Sequence, residues 1–352
     1  MPLDFPPFRP HPLVRGGHLQ TIFGCYLPWK RTVYQAMQHL VPLADGDKIV
    51  LHDDCPAAWQ PGDGVVLMAH GLGGCHLSGY MRRGVVKQTE LGYRVFRMDL
   101  RGCGAGFPHA RHPIHAGRSD DALAALRFII DLCPQSPVHV VGFSMGANIV
   151  LKMAGEMADQ VPPELASLMA VCPPIDLIAC SQNIQRGTNL IYDRSFVTGL
   201  LKHLERRKKL VPGALTRPLN PRPRKLFDFD THFTAPLAGY ADAHDYYTRA
   251  SSGPLLIQIT VPTLIVTAAS DPIIPVGPFE QASYSATTQV VITPCGGHLG
   301  FIGRAGVDPD RRWLDWRIID WITAHAPACR SATPLSPPHS RPATRQRILQ
   351  KP

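Results

Sequence analysis

Short, nearly unbroken apolar runs recur along this chain, and most are followed by stretches in which apolar positions return every three or four residues. Val65–Ala69, Val138–Phe143, Ser167–Val171, Pro262–Ala268 and Val290–Thr293 are such runs, and Arg94–Met98, interrupted by Arg97, reads as a strand as well. They lack polar alternation, so each fits a strand covered on both faces, as in a parallel sheet. Leu77–Leu91, Ala122–Leu132 and the segment holding Ile149, Val150, Met153 and Ala154 carry the helical spacing. In the second of these Leu123, Leu126, Ile129 and Ile130 form the stripe, and Ser119-Asp120-Asp121 supplies an N-cap and an acidic first turn. Two opening strands, Val33–Val41 and Lys48–His52, flank the turn at Ala44-Asp45-Gly46-Asp47. Asp310 caps a closing helix whose Trp313, Trp316, Ile319 and Trp321 are core aromatic and aliphatic positions. The alternation predicts an α/β fold: a mostly parallel central sheet flanked by helices.

The rhythm stops between 176 and 256, where a basic helical stretch (Arg206-Arg207-Lys208-Lys209), a Pro/Arg segment and an aromatic-rich one follow each other. This predicts four parts. Residues 1–30 pack on the core; 31–175 and 257–326 form it; 176–256 are a helical cap insertion; and 327–352 are a disordered Pro/Arg-rich tail. The basic stretch reads as a solvated helix face, and the aromatic residues Phe227, Phe229, Phe233, Tyr240, Tyr246 and Tyr247 as cap core that also lines a pocket.

Charge changes this picture little. Of the formal +9, five units belong to Arg330, Arg341, Arg345, Arg347 and Lys351, which leaves an ordinary balance on residues 1–329. With no basic helix interleaved with stacking aromatics, nucleic acid is not an expected partner. Nine scattered cysteines without C-x-x-C spacing exclude a zinc ribbon and argue against a disulfide framework. No basic-then-apolar leader and no eighteen-residue apolar run occur, so a soluble, cytoplasmic chain is expected, with peripheral membrane contact left open and the oligomeric state unassigned.

The chemistry gathers at the ends of the apolar runs. Gly142-Phe143-Ser144-Met145-Gly146 fits G-x-S-x-G at a strand-to-helix turn, where the flanking glycines allow close backbone approach and the serine Oγ stands exposed. A structural turn whose serine only caps the helix is the plainer alternative. His70-Gly71-Leu72-Gly73-Gly74 follows Val65–Ala69, and its glycines would let backbone N–H groups reach a substrate carbonyl; Leu72 N–H and Met145 N–H are the predicted oxyanion donors. Asp271 follows Pro262–Ala268, and His298 follows Val290–Thr293. Nucleophile, acid and histidine thus occur in the order Ser144, Asp271, His298, each at the carboxyl end of a predicted strand. Asp99 and Asp176 also follow strands and stay open as the acid, although a turn bond or ion pair to Arg101 suits Asp99 and a helix cap suits Asp176. His18, in Gly16-Gly17-His18-Leu19-Gln20-Thr21, reads either as a packed histidine or as a functional one.

These segments, together with Arg101-Gly102-Cys103, Ala147-Asn148, Asp271-Pro272 and Gly296-Gly297-His298-Leu299-Gly300-Phe301, resemble the YheT-like α/β-hydrolases from about residue 12 to 325. The resemblance implies an α/β-hydrolase fold and a serine carboxylesterase or lipase-type enzyme without metal or cofactor, acting on a small-molecule ester with Ser144, Asp271 and His298 as its triad. Ala147 stands where relatives often carry a third glycine, and Ser270 where a first Asp is common. A counterpart of the mammalian members' membrane anchor is not expected, so membrane residence is not carried over. Acyl transfer through the same acyl-enzyme, or a noncatalytic binding protein on this scaffold, are the alternatives.

Overall fold

The computed structural model describes residues 3–27, 34–218, 220 and 222–326; the tail expected beyond 326 and the first residue of the opening strand lie outside these. Among the described residues, eight strands form one sheet in the order β1-β2-β4-β3-β5-β6-β7-β8. They are β1 (Met37–Pro42), β2 (Lys48–Asp54), β3 (Val65–Ala69), β4 (Arg94–Asp99), β5 (Val138–Phe143), β6 (Leu165–Val171), β7 (Thr263–Ala268) and β8 (Thr288–Thr293). β1 and β2 pair antiparallel, β2 joins β4 antiparallel, and every later pairing is parallel. All residues of β3, β5 and β7 are buried, which is the condition that an apolar run without alternation satisfies.

The principal helices of the first half are α1 (Gly17–Tyr26), α2 (Gly79–Glu90), α3 (Ser119–Leu132) and α4 (Met145–Met157). α4 is buried nearly all round, more deeply than a single apolar stripe suggests. Its Gly155 lies so close to Leu255 that a Cβ would come within 2.6 Å of that side chain. Where α4 leaves the sheet, Ala69, Gly142 and Ala170 are neighbours in register, so three small residues lie side by side near the strand ends.

Several expected details differ. Asp310 does not cap the closing helix Trp313–Ala324: its Oδ1 accepts the N–H of Arg312, which is itself the N-cap residue and has no side-chain cap bond. Ile319 is half-buried and outside the core cluster. Ser119 does not cap α3: its hydroxyl donates to Glu156, and Asp121 holds both Nε and Nη2 of Arg101. Trp316 is not core; it stands half-buried at the surface, donating to Asp310 and covered by the Lys87 ammonium 4.6 Å from its ring centroid. Trp313 and Trp321 are buried as expected.

Residues 176–256 contain α5 (Leu177–Ile184), α6 (Leu190–Leu210), short helical turns over 226–237 and the helix Ala243–Ala250. Leu204, Phe229 and Phe233 make a small core of their own, while Tyr246 and Tyr247 join the main one. Among the described residues no helix is long and apolar enough to cross a membrane.

Candidate active site

The turn between β5 and α4 holds Ser144 at φ 52° and ψ −121°, a left-handed conformation that costs a non-glycine residue about 1–3 kcal/mol. Crowding enforces it. A Cβ on Gly146 would meet the carbonyl oxygens of His70 and Ala69 at 2.4 and 2.6 Å, and one on Gly142 would meet the Ala147 Cα at 2.5 Å. Ser144 N–H donates to the Val171 carbonyl at 2.8 Å, anchoring the turn to β6.

The strain aims Oγ at His298. Ser144 Oγ and His298 Nε2 are 2.8 Å apart, and His298 Nδ1 is 3.0 Å from Asp271 Oδ2. The other oxygen of Asp271 accepts the N–H groups of Ile273 and Ile274 at 2.8 and 3.0 Å, which fixes the carboxylate. The three residues predicted from sequence are thus brought into one hydrogen-bonded line. Cys172 Sγ also lies close to Asp271 and His298, and burial and the adjacent Asp271 carboxylate raise its thiol pKa.

The remaining carboxylates are committed elsewhere. Asp176 accepts the Ala179 N–H and caps α5. Asp99 does not pair with Arg101: it accepts from His52 Nε2, His76 Nδ1 and the N–H groups of His76 and Ala105. Burial opposes ionisation there, but these four donors outweigh it and hold the carboxyl well below its usual range. Arg101 pairs instead with Asp45, Asp47 and Asp121.

On the oxyanion side, Gly71 N–H is taken by the Tyr80 hydroxyl at 3.0 Å, and His70 is locked by Nδ1 donating to the Gly71 carbonyl and Nε2 accepting the Leu100 N–H. Leu72 and Met145 are next along the chain and both line the cleft that holds Ser144. Met145 opens α4, so its amide has no intrahelical acceptor.

That cleft has a volume of about 980 Å³ including its open mouth. Its walls are mainly apolar: Leu177, Ile184, Phe196, Leu200, Phe229, Phe233, Ile273 and Ile274 among them. Asp230 lies in the wall as well, and burial pushes its carboxyl up to about 6 although the Thr234 and Tyr247 hydroxyls both donate to it.

His18 does not join the histidine line. Its Nδ1 is 2.9 Å from the Tyr192 hydroxyl and its Nε2 3.2 Å from Thr188 Oγ1, so it ties α1 to the start of α6. The chemistry-bearing neighbours in that motif are ones the sequence left unassigned. Thr21 Oγ1 accepts the His298 N–H at 2.8 Å and donates to the Gly17 carbonyl at 2.7 Å. Gln20 is fully buried, donating to the carbonyls of Val14 and Ile302 and accepting the Ile302 N–H. A Cβ on Gly300 would lie 1.9 Å from the Gln20 carbonyl oxygen, and one on Gly17 1.7 Å from that of Ser270. The sequence signal for this clamp is the pair of glycine-containing motifs Gly16–Thr21 and Gly296–Phe301, far apart in the chain. Asn148 was unassigned too; its amide holds the carbonyls of Ala116 and Ala250 and the N–H of Ser252.

Residues 64–305 match the family described as the alpha/beta hydrolase fold. The chain belongs to the α/β-hydrolase family. It is 33% identical to YheT of Escherichia coli (strain K12), whose name proposes an esterase, over 88% of this chain and 91% of that one. It is 26% identical to the phospholipase ABHD3 of Mus musculus over 80% of this chain and 70% of that one. Among solved structures, the fold is shared with Est1E from Butyrivibrio proteoclasticus at 16% identity (TM-score 0.52, 82% of this chain and 98% of that one). The Pyrococcus furiosus esterase Pf2001 is similar at 16% identity (TM-score 0.53, 84% and 94%). This α/β-hydrolase is of the carboxylesterase/lipase type.

Proposed function

We propose that this enzyme cleaves carboxylic esters of apolar or lipid-like acyl groups through an acyl-enzyme on Ser144. The observation that carries the proposal is the unbroken line from Ser144 Oγ through both ring nitrogens of His298 to Asp271, at the floor of an apolar cleft. In this reading Nε2 takes the hydroxyl proton as Oγ attacks the acyl carbonyl, and Asp271 keeps the Nδ1–H tautomer and stabilises the imidazolium. Leu72 and Met145 N–H groups stabilise the oxyanion. The tetrahedral species collapses, His298 returns the proton to the departing alcohol, and water repeats the sequence to release the acid. Residues 176–256 act as a cap whose helices form the acyl wall, around a core built from the two flanking segments. No cofactor takes part.

A fluorophosphonate probe tests this directly. The expected result is one covalent adduct on Ser144, lost together with ester hydrolysis in a folded Ser144→Ala variant. An adduct on another serine, or hydrolysis that survives Ser144→Ala, would refute it.

A further inference from the structure

Arg207 lies in the wall of the same cleft as Ser144, on the helix face that the sequence pattern assigns to solvent. It is 1% exposed, whereas Arg206, Lys208 and Lys209 around it are exposed. Its guanidinium makes one hydrogen bond, from Nη2 to the Arg111 carbonyl at 2.7 Å; Nε and Nη1 have no partner. Room for Nη1 is provided by Gly102, in a left-handed conformation (φ +65°), where a Cβ would come within 2.7 Å of it.

No carboxylate among the described residues forms an ion pair with Arg207. The nearest acidic system is consumed by others. Asp47 accepts from Arg101, from the N–H groups of Arg111 and His112 and from the His112 ring. Asp230, in the same cleft, has its oxygens occupied by the hydroxyls of Thr234 and Tyr247. The neighbouring His203 is kept uncharged near neutrality by burial and by Arg207 and Arg206. A buried guanidinium with two idle donors and no carboxylate within ion-pair distance is costly in a purely structural role, even with the Asp47 charge nearby. It becomes a recognition device once an oxyanion enters, since its planar fork matches a carboxylate or phosphate.

We propose that Arg207 forms an oxyanion subsite in the cleft, so that the ester cut at Ser144 is an amphiphile carrying a carboxylate or phosphate group as well as an apolar chain. That the amphiphile is cut rests on the proposed function; the subsite itself does not.

The test is therefore a binding measurement. Calorimetric titration of the full Ser144→Ala chain with decanoate, decyl phosphate, decanol and inorganic phosphate compares the same apolar chain with and without an anion. At least one of the two anionic amphiphiles is expected to bind about tenfold or more tighter than decanol, and Arg207→Met to remove most of that advantage. Preference for decanoate or for decyl phosphate assigns the carboxylate or the phosphate source. Decanol binding as tightly as both anions overturns the proposal on this chain alone, whatever the variant does. An advantage that persists in Arg207→Met, or in Arg207→Gln should the first not fold, also overturns it. Inorganic phosphate binding as tightly as decyl phosphate would make this a site for a free anion and overturn the substrate assignment. Hydrolysis surviving Ser144→Ala would instead strike the catalytic reading and leave these affinities interpretable.

Discussion

Replacing Thr21 by Val keeps the side-chain shape and removes one hydroxyl, yet it should impair an active site whose residues it does not include. Thr21 Oγ1 stands 2.8 Å from the His298 nitrogen and 2.6 Å from where a Cβ on Gly297 would be, so the contact is short and enclosed. A methyl carbon in its place needs roughly 3.5 Å or more from a neighbouring heavy atom, so the loop has to move by about 0.7 Å or α1 has to lift. Two costs follow. The buried His298 N–H loses its acceptor, worth about 1–3 kcal/mol of stability. At roughly 2 °C per kcal/mol for a chain of this size, Tm should fall by about 2–6 °C. The imidazole is carried off its line to Ser144 Oγ, and since a misplacement near 1 Å can cost about 100-fold, kcat should fall by about 10- to 100-fold with a smaller change in KM. Steady-state kinetics on a chromogenic ester, the rate of fluorophosphonate labelling and a thermal melt read all three. Thr21→Ser keeps the hydroxyl and should restore kcat to within about threefold, as a positioning role requires and bulk destabilisation does not. Wild-type kcat and Tm in Thr21→Val would refute the reasoning.

Asp271→Asn should lower kcat by about 10²–10⁴-fold by favouring the wrong imidazole tautomer, while Asp176→Asn changes it less than about tenfold. Asp99→Asn should also spare kcat per folded molecule yet lower Tm, because it disturbs a carboxylate with four donors; a silent Asp271→Asn with a crippled Asp176→Asn would reverse the assignment. Asp230 predicts an unusual pH response: its folded pKa, about 6, lies above the unfolded value, so the folded state holds the proton longer and this group's contribution to stability falls as pH rises from about 4 to about 6. Asp230→Asn should therefore be more stable than the parent in denaturant melts at pH 7.5, with the difference closing near pH 4; an equal difference at both would show that the hydroxyl bonds, not the charge, decide. Among esters of graded acyl length, kcat/KM should rise from acetate by up to about fourfold per methylene until the cleft is filled. A steady decline from acetate onward would exclude an apolar acyl wall.

The positions of β3, β5 and β7, and of Ser144, Asp271 and His298 at strand ends, were legible because buried parallel strands impose unbroken apolar runs and a strand-to-helix turn imposes glycine at fixed spacing. Those are local demands, and a sequence records them locally. Arg207 and Thr21 show what is not local. Arg207 sits in a run of four cations that any pattern assigns to solvent, and only the position of Gly102 about a hundred residues earlier lets it turn inward. Thr21 is an ordinary helical residue until Gly297 and Gly300 bring the His298 loop against it. In both cases a glycine marks the place where another part of the backbone or a charged group comes near, and the glycine is visible in the sequence while its partner is not. These glycines are therefore the usable signal. Gly17, Gly102, Gly297 and Gly300 each leave a space that a Cβ would fill, and each space is occupied by a group that holds the histidine loop or lines the cleft. Gly17→Ala and Gly300→Ala, with contacts at 1.7 and 1.9 Å against backbone, cannot be relieved by a rotamer change, so they should cost more than any side-chain substitution on the same interface.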